Sequence, residues 1–173
     1  MSSLNQLHIT PVRCFHPGGL CPDAEPLQSK PPQSEDEFRS ASEFILGHFT
    51  SSVFLDSILK YGLIPDVDGS RAIEDGLRSD SESVYLATRI DRLYLKRAIQ
   101  HHNGKGIAVE VQVPRSALLA DENYLAPSEL ERISPETALY LSMCSGACKH
   151  RGPIPQAQIL SITDCHGLSM YKK

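Results

Sequence analysis

The clearest periodicity in the chain lies at Ile107, Val109, Val111 and Val113, which alternate with Ala108, Glu110 and Gln112 until Pro114. A period of two predicts a strand with one face in the core, and proline, lacking an N–H, ends the pairing. Glu110 then belongs to a face that is at least partly wet. A second apolar run, Phe44-Ile45-Leu46, passes through Gly47 into His48-Phe49-Thr50, which predicts another strand with His48 and Thr50 on one side. Ser51 and Ser52 open a helical pattern, Val53, Phe54, Leu55, Ile58 and Leu59, and Gly62 closes it before Leu63-Ile64-Pro65. Serine suits the N-cap, and glycine suits a closing position that needs a positive φ. Strand, polar mouth and helix thus follow in quick succession, as at junctions that present side chains to a ligand.

Elsewhere the signals are shorter. Val84 to Ala87 reads as a strand, and Thr88 opens a helix to about His101, with Asp91 completing a capping box and Ile90, Leu93 and Tyr94 at helical spacing. Ser134-Pro135-Glu136 has the order N-cap, N1 and first-turn acid, predicting a helix through Leu139, Tyr140 and Met143 to Gly146. Gly152-Pro153-Ile154-Pro155 is a rigid turn before a last strand at Ile159 to Thr163. Residues 66–83 form a polar loop with one helical turn at 72–77, and 116–122 and 126–132 read as short helical or turn segments. Separate helices without a regular β-α-β alternation predict an α+β domain with a mostly antiparallel sheet. An N-terminal strand and proline-rich arm (1–42) precede the core (43–165), and a loose tail (166–173) follows.

Composition narrows the function classes. The 173 residues suit one domain, and a formal net charge of -4 supplies no global field for nucleic acid. No apolar run is long enough to span a bilayer, and the first residues lack the basic start and apolar centre of a secretory signal. The expectation is a soluble, cytoplasmic protein without a membrane partner. Five cysteines, an odd number, suit a reducing compartment. Cys14, His16 and Cys21 invite a zinc reading with Cys144, Cys148, His150, Cys165 and His166, but no Cys-x-x-Cys occurs and no metal site is expected.

The chemistry of the mouth points to a nucleotide. Imidazole and hydroxyl at His48 and Thr50 suit ribose hydroxyls, and the rings of Tyr85 and Tyr94 offer flat faces for a planar base. A thiolate–imidazolium pair of Cys144 or Cys148 with His150 is a third arrangement, opposed by the position of these cysteines at a helix C-terminus.

The order of these segments resembles the ADP-ribosyltransferase superfamily. There a strand ends in His-x-Thr, a helix follows and closes on Gly-Leu-x-Pro, similar to His48-Phe49-Thr50 and Gly62-Leu63-Ile64-Pro65. A strand carrying Tyr-Leu and a helix carrying a second Tyr are similar to Val84-Tyr85-Leu86-Ala87 and Tyr94. Val109-Glu110-Val111 resembles the family's Val-Glu-Val-like strand, and Pro153-Ile154-Pro155 its turn before the last strand. Over about Glu43 to Thr163 the resemblance implies a split sheet, NAD as co-substrate and a macromolecular acceptor. The acidic net charge makes protein the favoured acceptor over nucleic acid, in the cytoplasm or, for an effector, in a target cell. His48 would hold the adenosine-side ribose, Thr50 or Ser52 would touch the nicotinamide pocket, and Tyr85 or Tyr94 would stack on nicotinamide. The implied activity is mono-ADP-ribosyl transfer, with rupture of the nicotinamide glycosidic bond through an oxocarbenium-like state.

One departure stands out. The family's catalytic Glu lies in or just before the strand leading to the Ile-Pro turn, and Ser145 to Arg151 holds no carboxylate. Glu136 and Glu110 are the candidates for it, although the helix dipole accounts for the first and a wet sheet face for the second. The alternatives are an inactive nucleotide-binding member of the fold, and an enzyme of the RNA 2'-phosphotransferase branch in which Lys149, His150 and Arg151 hold phosphate.

Overall fold

The alternating run becomes β3 (Gly106–Pro114), which lies between β1 (Glu43–Ser51) and β6 (Ile159–Asp164) in a computed structural model that describes residues 27–66, 80–89, 103–123 and 127–173. β1 and β3 pair without interruption from Glu43 opposite Pro114 to Ser51 opposite Gly106. The remaining strands among the described residues are β2 (Ser83–Ala87), β4 (Leu118–Leu119), β5 (Ala147–Arg151) and β7 (Ser169–Lys172), and the strand expected at 8–15 lies outside them. All seven form one antiparallel sheet in the order β4-β5-β2-β1-β3-β6-β7. The helices among the described residues are few and short: α1 (Glu35–Ser40), α2 (Leu55–Tyr61), α3 (Pro127–Leu130) and α4 (Pro135–Ser145). The α+β, mostly antiparallel architecture is the one expected.

The sheet is well paired within two groups and thinly paired between them. β2 and β5 match along their full length, whereas β1 and β2 share one register pair, Gly47 opposite Ala87. Beyond that point β1 and β2 do not continue as a ladder, and His48 sits at the parting.

Strand alternation sorts the side chains. Leu46, Leu86, Val109, Val111, Cys148 and Ile162 enter the main core, which α2 and α4 cover with Ile58, Leu139 and Met143. The other face carries Phe49, Ala108, Tyr85, Lys149, Glu110 and Ser161. Gly62 ends α2 at φ 82, and its N–H bonds the Ile58 carbonyl, as the glycine signal predicts. Ser134 caps α4 by accepting from the Thr137 N–H, with Pro135 at its start.

Several segments differ from the sequence reading. The proline-rich arm contains α1, because Ser34 caps its first turn and Phe38 is buried against the rings of Phe44 and Tyr140. Residues 116–122 begin in a 3-10 turn (Arg115–Ala117), as expected, but also contain β4, since Leu118 pairs with His150 and is buried. The tail is β7, held by pairing to β6 and by Met170 and Tyr171 against the core. The helix expected over 88–101 lies outside the described residues from Ile90 onward, as does the helical turn at 72–77. Thr88 itself donates its hydroxyl to the Met143 carbonyl across the fold.

Candidate functional site

His48 reaches its position because β1 leaves β2 at Gly47. Its Nδ1 lies 2.9 Å from the carbonyl oxygen of Tyr85. A carbonyl can only accept, so Nδ1 carries the proton and Nε2 is the acceptor of the neutral ring. The imidazole thereby satisfies a β2 carbonyl at the place where the strand ladder stops.

His48 and Thr50 line one hollow of about 40 Å³ with Phe54, Ser57 and Ile58 of the helical segment and Gly62 to Ile64 behind it. Ser57 adds a hydroxyl that the sequence reading passed over. Its position in the first turn of α2, facing back to β1, became visible only with the strand–helix packing. The hollow is a notch of a few water volumes, so a nucleotide would seat one polar group there and lie along the surface. Ser52 does not line it: its Oγ accepts the Lys105 N–H at 2.9 Å and ties the strand end to the loop before β3.

Tyr85 departs from its expected role. Phe49, on the face opposite His48, and Tyr85 belong to the same face by the Gly47–Ala87 register, and it is the Tyr85 backbone carbonyl that meets the imidazole. The phenol instead donates to Glu122 Oε1 at 2.6 Å and accepts the Asp80 N–H at 2.6 Å. Lys149, opposite Tyr85 on β5, places Nζ 2.9 Å from both Asp80 Oδ2 and Glu122 Oε2. Burial, followed by the Glu122 hydrogen bond, pushes the Tyr85 pKa up. The Lys149 hydrogen bond pulls Asp80 down to about 2. Burial opposes the Glu122 charge, but bonds from Tyr85 and Lys149 outweigh it and hold the carboxyl below its ordinary value. The cluster sets one ammonium between two carboxylates and ties β2, β5 and the segment after β4 together. Tyr94 lies outside the described residues.

Neither candidate carboxylate meets the hollow. Glu110, expected on a wet face, is 2% exposed. It accepts from the N–H groups of Gln28 and Ser29 and from the Ser161 hydroxyl. The arm folds over that face and dries it, which the alternation along β3 could not reveal. Glu110 also lies on the opposite side of the sheet from His48, since His48 pairs with its neighbour Val109. Glu136 is exposed at the start of α4 and bonds Arg115 at 3.1 Å. Arg115 is anchored by its N–H to the Ser42 carbonyl, roughly 20 Å along β1 from His48 at ordinary strand rise.

The other sequence constellations separate too. Lys149 and Arg151 face one way and the buried His150 the other, with Lys149 already held by two carboxylates, so the three do not form a phosphate cradle. Cys148 is fully buried, and that burial pushes its thiol far above the range of a nucleophile. Cys144, Cys148 and Cys165 are free thiols. Among the described residues no group of three or more His, Cys, Asp or Glu side chains is placed to hold a metal, and no helix is long and apolar enough to cross a membrane. Cys14, His16 and Cys21 lie outside the described residues.

No protein-family model matches the chain, and a search of curated proteins returns no match.

Proposed function

We propose that the chain is an NAD-binding protein of the ADP-ribosyltransferase type, whose activity is transfer of one ADP-ribose unit to a protein acceptor. The observation that carries this reading is His48 at the parting of β1 and β2, its Nδ1 committed to the Tyr85 carbonyl and its ring beside Thr50 in the hollow under α2. Imidazole and hydroxyls in that arrangement suit the vicinal hydroxyls of a ribose, one group accepting and the others able to donate or accept. The thin β1–β2 junction also suits the split sheet that the sequence resemblance implies. Holding the dinucleotide by its ribose would orient the nicotinamide bond for attack, and the protein's part in that step is positioning and charge stabilisation.

A second reading, nucleotide binding without transfer, is favoured by one specific observation. Glu110 is committed to the arm and Ser161, and Glu136 to Arg115, so neither carboxylate stands ready to stabilise a ribosyl cation at the hollow. Incubation with NAD labelled on the adenylate side separates the two. Release of nicotinamide with label on protein, both lost in His48→Ala, supports transfer. Saturable NAD binding without release supports the binding module, and no binding at all contradicts both.

A further inference from the structure

Of the chain's asparagines, Asn5, Asn103 and Asn123, Asn103 alone precedes a glycine. The fold asks for that pair. Asn103 stands at φ 57 and Gly104 at φ 85, in the left-handed region that asparagine and glycine enter more readily than other residues. A Cβ at position 104 would also lie 2.9 Å from Ser52 Oγ and 3.0 Å from Ser51 Oγ, so the loop leading into β3 meets the end of β1 through a residue without a side chain. Hydrogen bonds pin the loop there: the Ser51 hydroxyl donates to the Asn103 carbonyl, the Lys105 N–H to Ser52 Oγ, and the Ser52 N–H to the Lys105 carbonyl. Asn103 and Gly104 themselves are exposed, and among the described residues no hydrogen bond engages the Asn103 side-chain amide or the Gly104 N–H.

We infer that Asn103 is a site of spontaneous deamidation and that the Ser51 hydroxyl promotes it. The Gly104 nitrogen, on losing its proton to water, attacks Cγ of Asn103. The bond from Cγ to the side-chain nitrogen breaks, ammonia leaves, and water then opens the resulting succinimide to aspartate or iso-aspartate. The Asn103 carbonyl belongs to the same peptide group as the attacking nitrogen, so the Ser51 hydroxyl is held on the oxygen that takes up negative charge when the Gly104 N–H is deprotonated. Asn123 lacks these features: its side-chain amide donates to the Asp121 carboxylate, and tyrosine follows it. The iso-aspartyl product lengthens the main chain by a carbon and takes the Asn103 carbonyl away from Ser51, which loosens the approach to β3 from the end of β1. This chemistry is independent of NAD binding.

Mass spectrometry of the full chain, incubated in mildly alkaline buffer and then digested with trypsin, tests it. The peptide Ala98–Lys105 is expected to gain about 1 Da, placed on residue 103 by its fragment ions and divided between aspartate and iso-aspartate, while the peptide carrying Asn123 stays unchanged. The folded chain is expected to react at least as fast as the chain unfolded in guanidinium chloride, a comparison that does not depend on any variant. Ser51→Ala is expected to slow the folded reaction by about threefold or more and to leave the unfolded rate unchanged. A folded chain that reacts more slowly than the unfolded one, or a folded Ser51→Ala chain that reacts as fast as the wild type, overturns the inference.

Discussion

The imidazole of His48 and the backbone carbonyl of Tyr85 form the one side-chain bridge across the opening between β1 and β2 among the hydrogen bonds described above, at 2.9 Å. The bridge fixes the tautomer of the ring. In neutral His48 the proton resides on Nδ1, and nitrogen-15 NMR of the imidazole is expected to show Nδ1 as protonated and Nε2 as the bare nitrogen. The reverse pattern contradicts the bond. Tyr85→Phe keeps the carbonyl and is expected to leave the pattern unchanged.

Lys149 bridges two carboxylates, with 13% of its own side chain exposed. Lys149→Met leaves Asp80 and Glu122 facing each other, and is expected to cost about 2 kcal/mol in urea unfolding, less than for a fully buried pair. The pH dependence has a definite sign. Asp80 is lowered from 3.8 to about 2 in the folded protein, so its contribution is complete above about pH 4 and disappears as pH falls through about 2. In the methionine variant that acid loss is expected to shrink, since the Glu82 N–H and the Ser83 hydroxyl still hold Asp80 down. Tyr85 acts at the other end: its raised pKa gives a contribution that is full below the ordinary phenol range and is lost as pH rises above it.

Glu110 holds the arm to the sheet. Glu110→Ala removes the acceptor of three donors, two of them backbone N–H groups, and is expected to cost about 3 kcal/mol or more. Hydrogen exchange at Gln28 and Ser29 measures this directly. Both amides are expected to be protected in the wild type and to exchange rapidly in the variant, while Val109 and Val111 keep their protection. Equal exchange in both proteins would detach the arm from this carboxylate.

Gly62 tolerates no side chain. At φ 82 a Cβ would run into the carbonyl oxygen of Ile154, which is backbone and is itself bonded to the Leu63 N–H at 2.9 Å. Gly62→Ala is expected to lower stability by about 2–4 kcal/mol, through left-handed strain and the displaced turn. A thermal midpoint unchanged from the wild type would contradict this.

What the sequence shows and what it hides divide along a physical line. β1, β3, the Gly62 cap and the Ser134-Pro135 helix start are written in local pattern, because alternation, capping and positive φ are properties of neighbouring residues. β5 was not legible. Ala147-Cys148-Lys149-His150-Arg151 has no β-branched residue, and it is a strand because β2 and β4 pair with it on both sides. The same distinction governs the site. His48 and Thr50 share a face by simple alternation, and both line the hollow. The direction of the Tyr85 phenol depends on the β1–β2 register, and the burial of Glu110 on an arm some eighty residues upstream. Neither relationship has a local signature.

Calorimetric titration of NAD into the full chain, its His48→Ala variant and its Tyr85→Phe variant shows whether the His48 hollow holds a dinucleotide. Saturable binding by the wild type is expected, with at least about tenfold weaker binding without the imidazole and unchanged affinity without the Tyr85 hydroxyl, which faces away from the hollow. No binding by the wild type, or equal affinity with and without the His48 side chain, contradicts it.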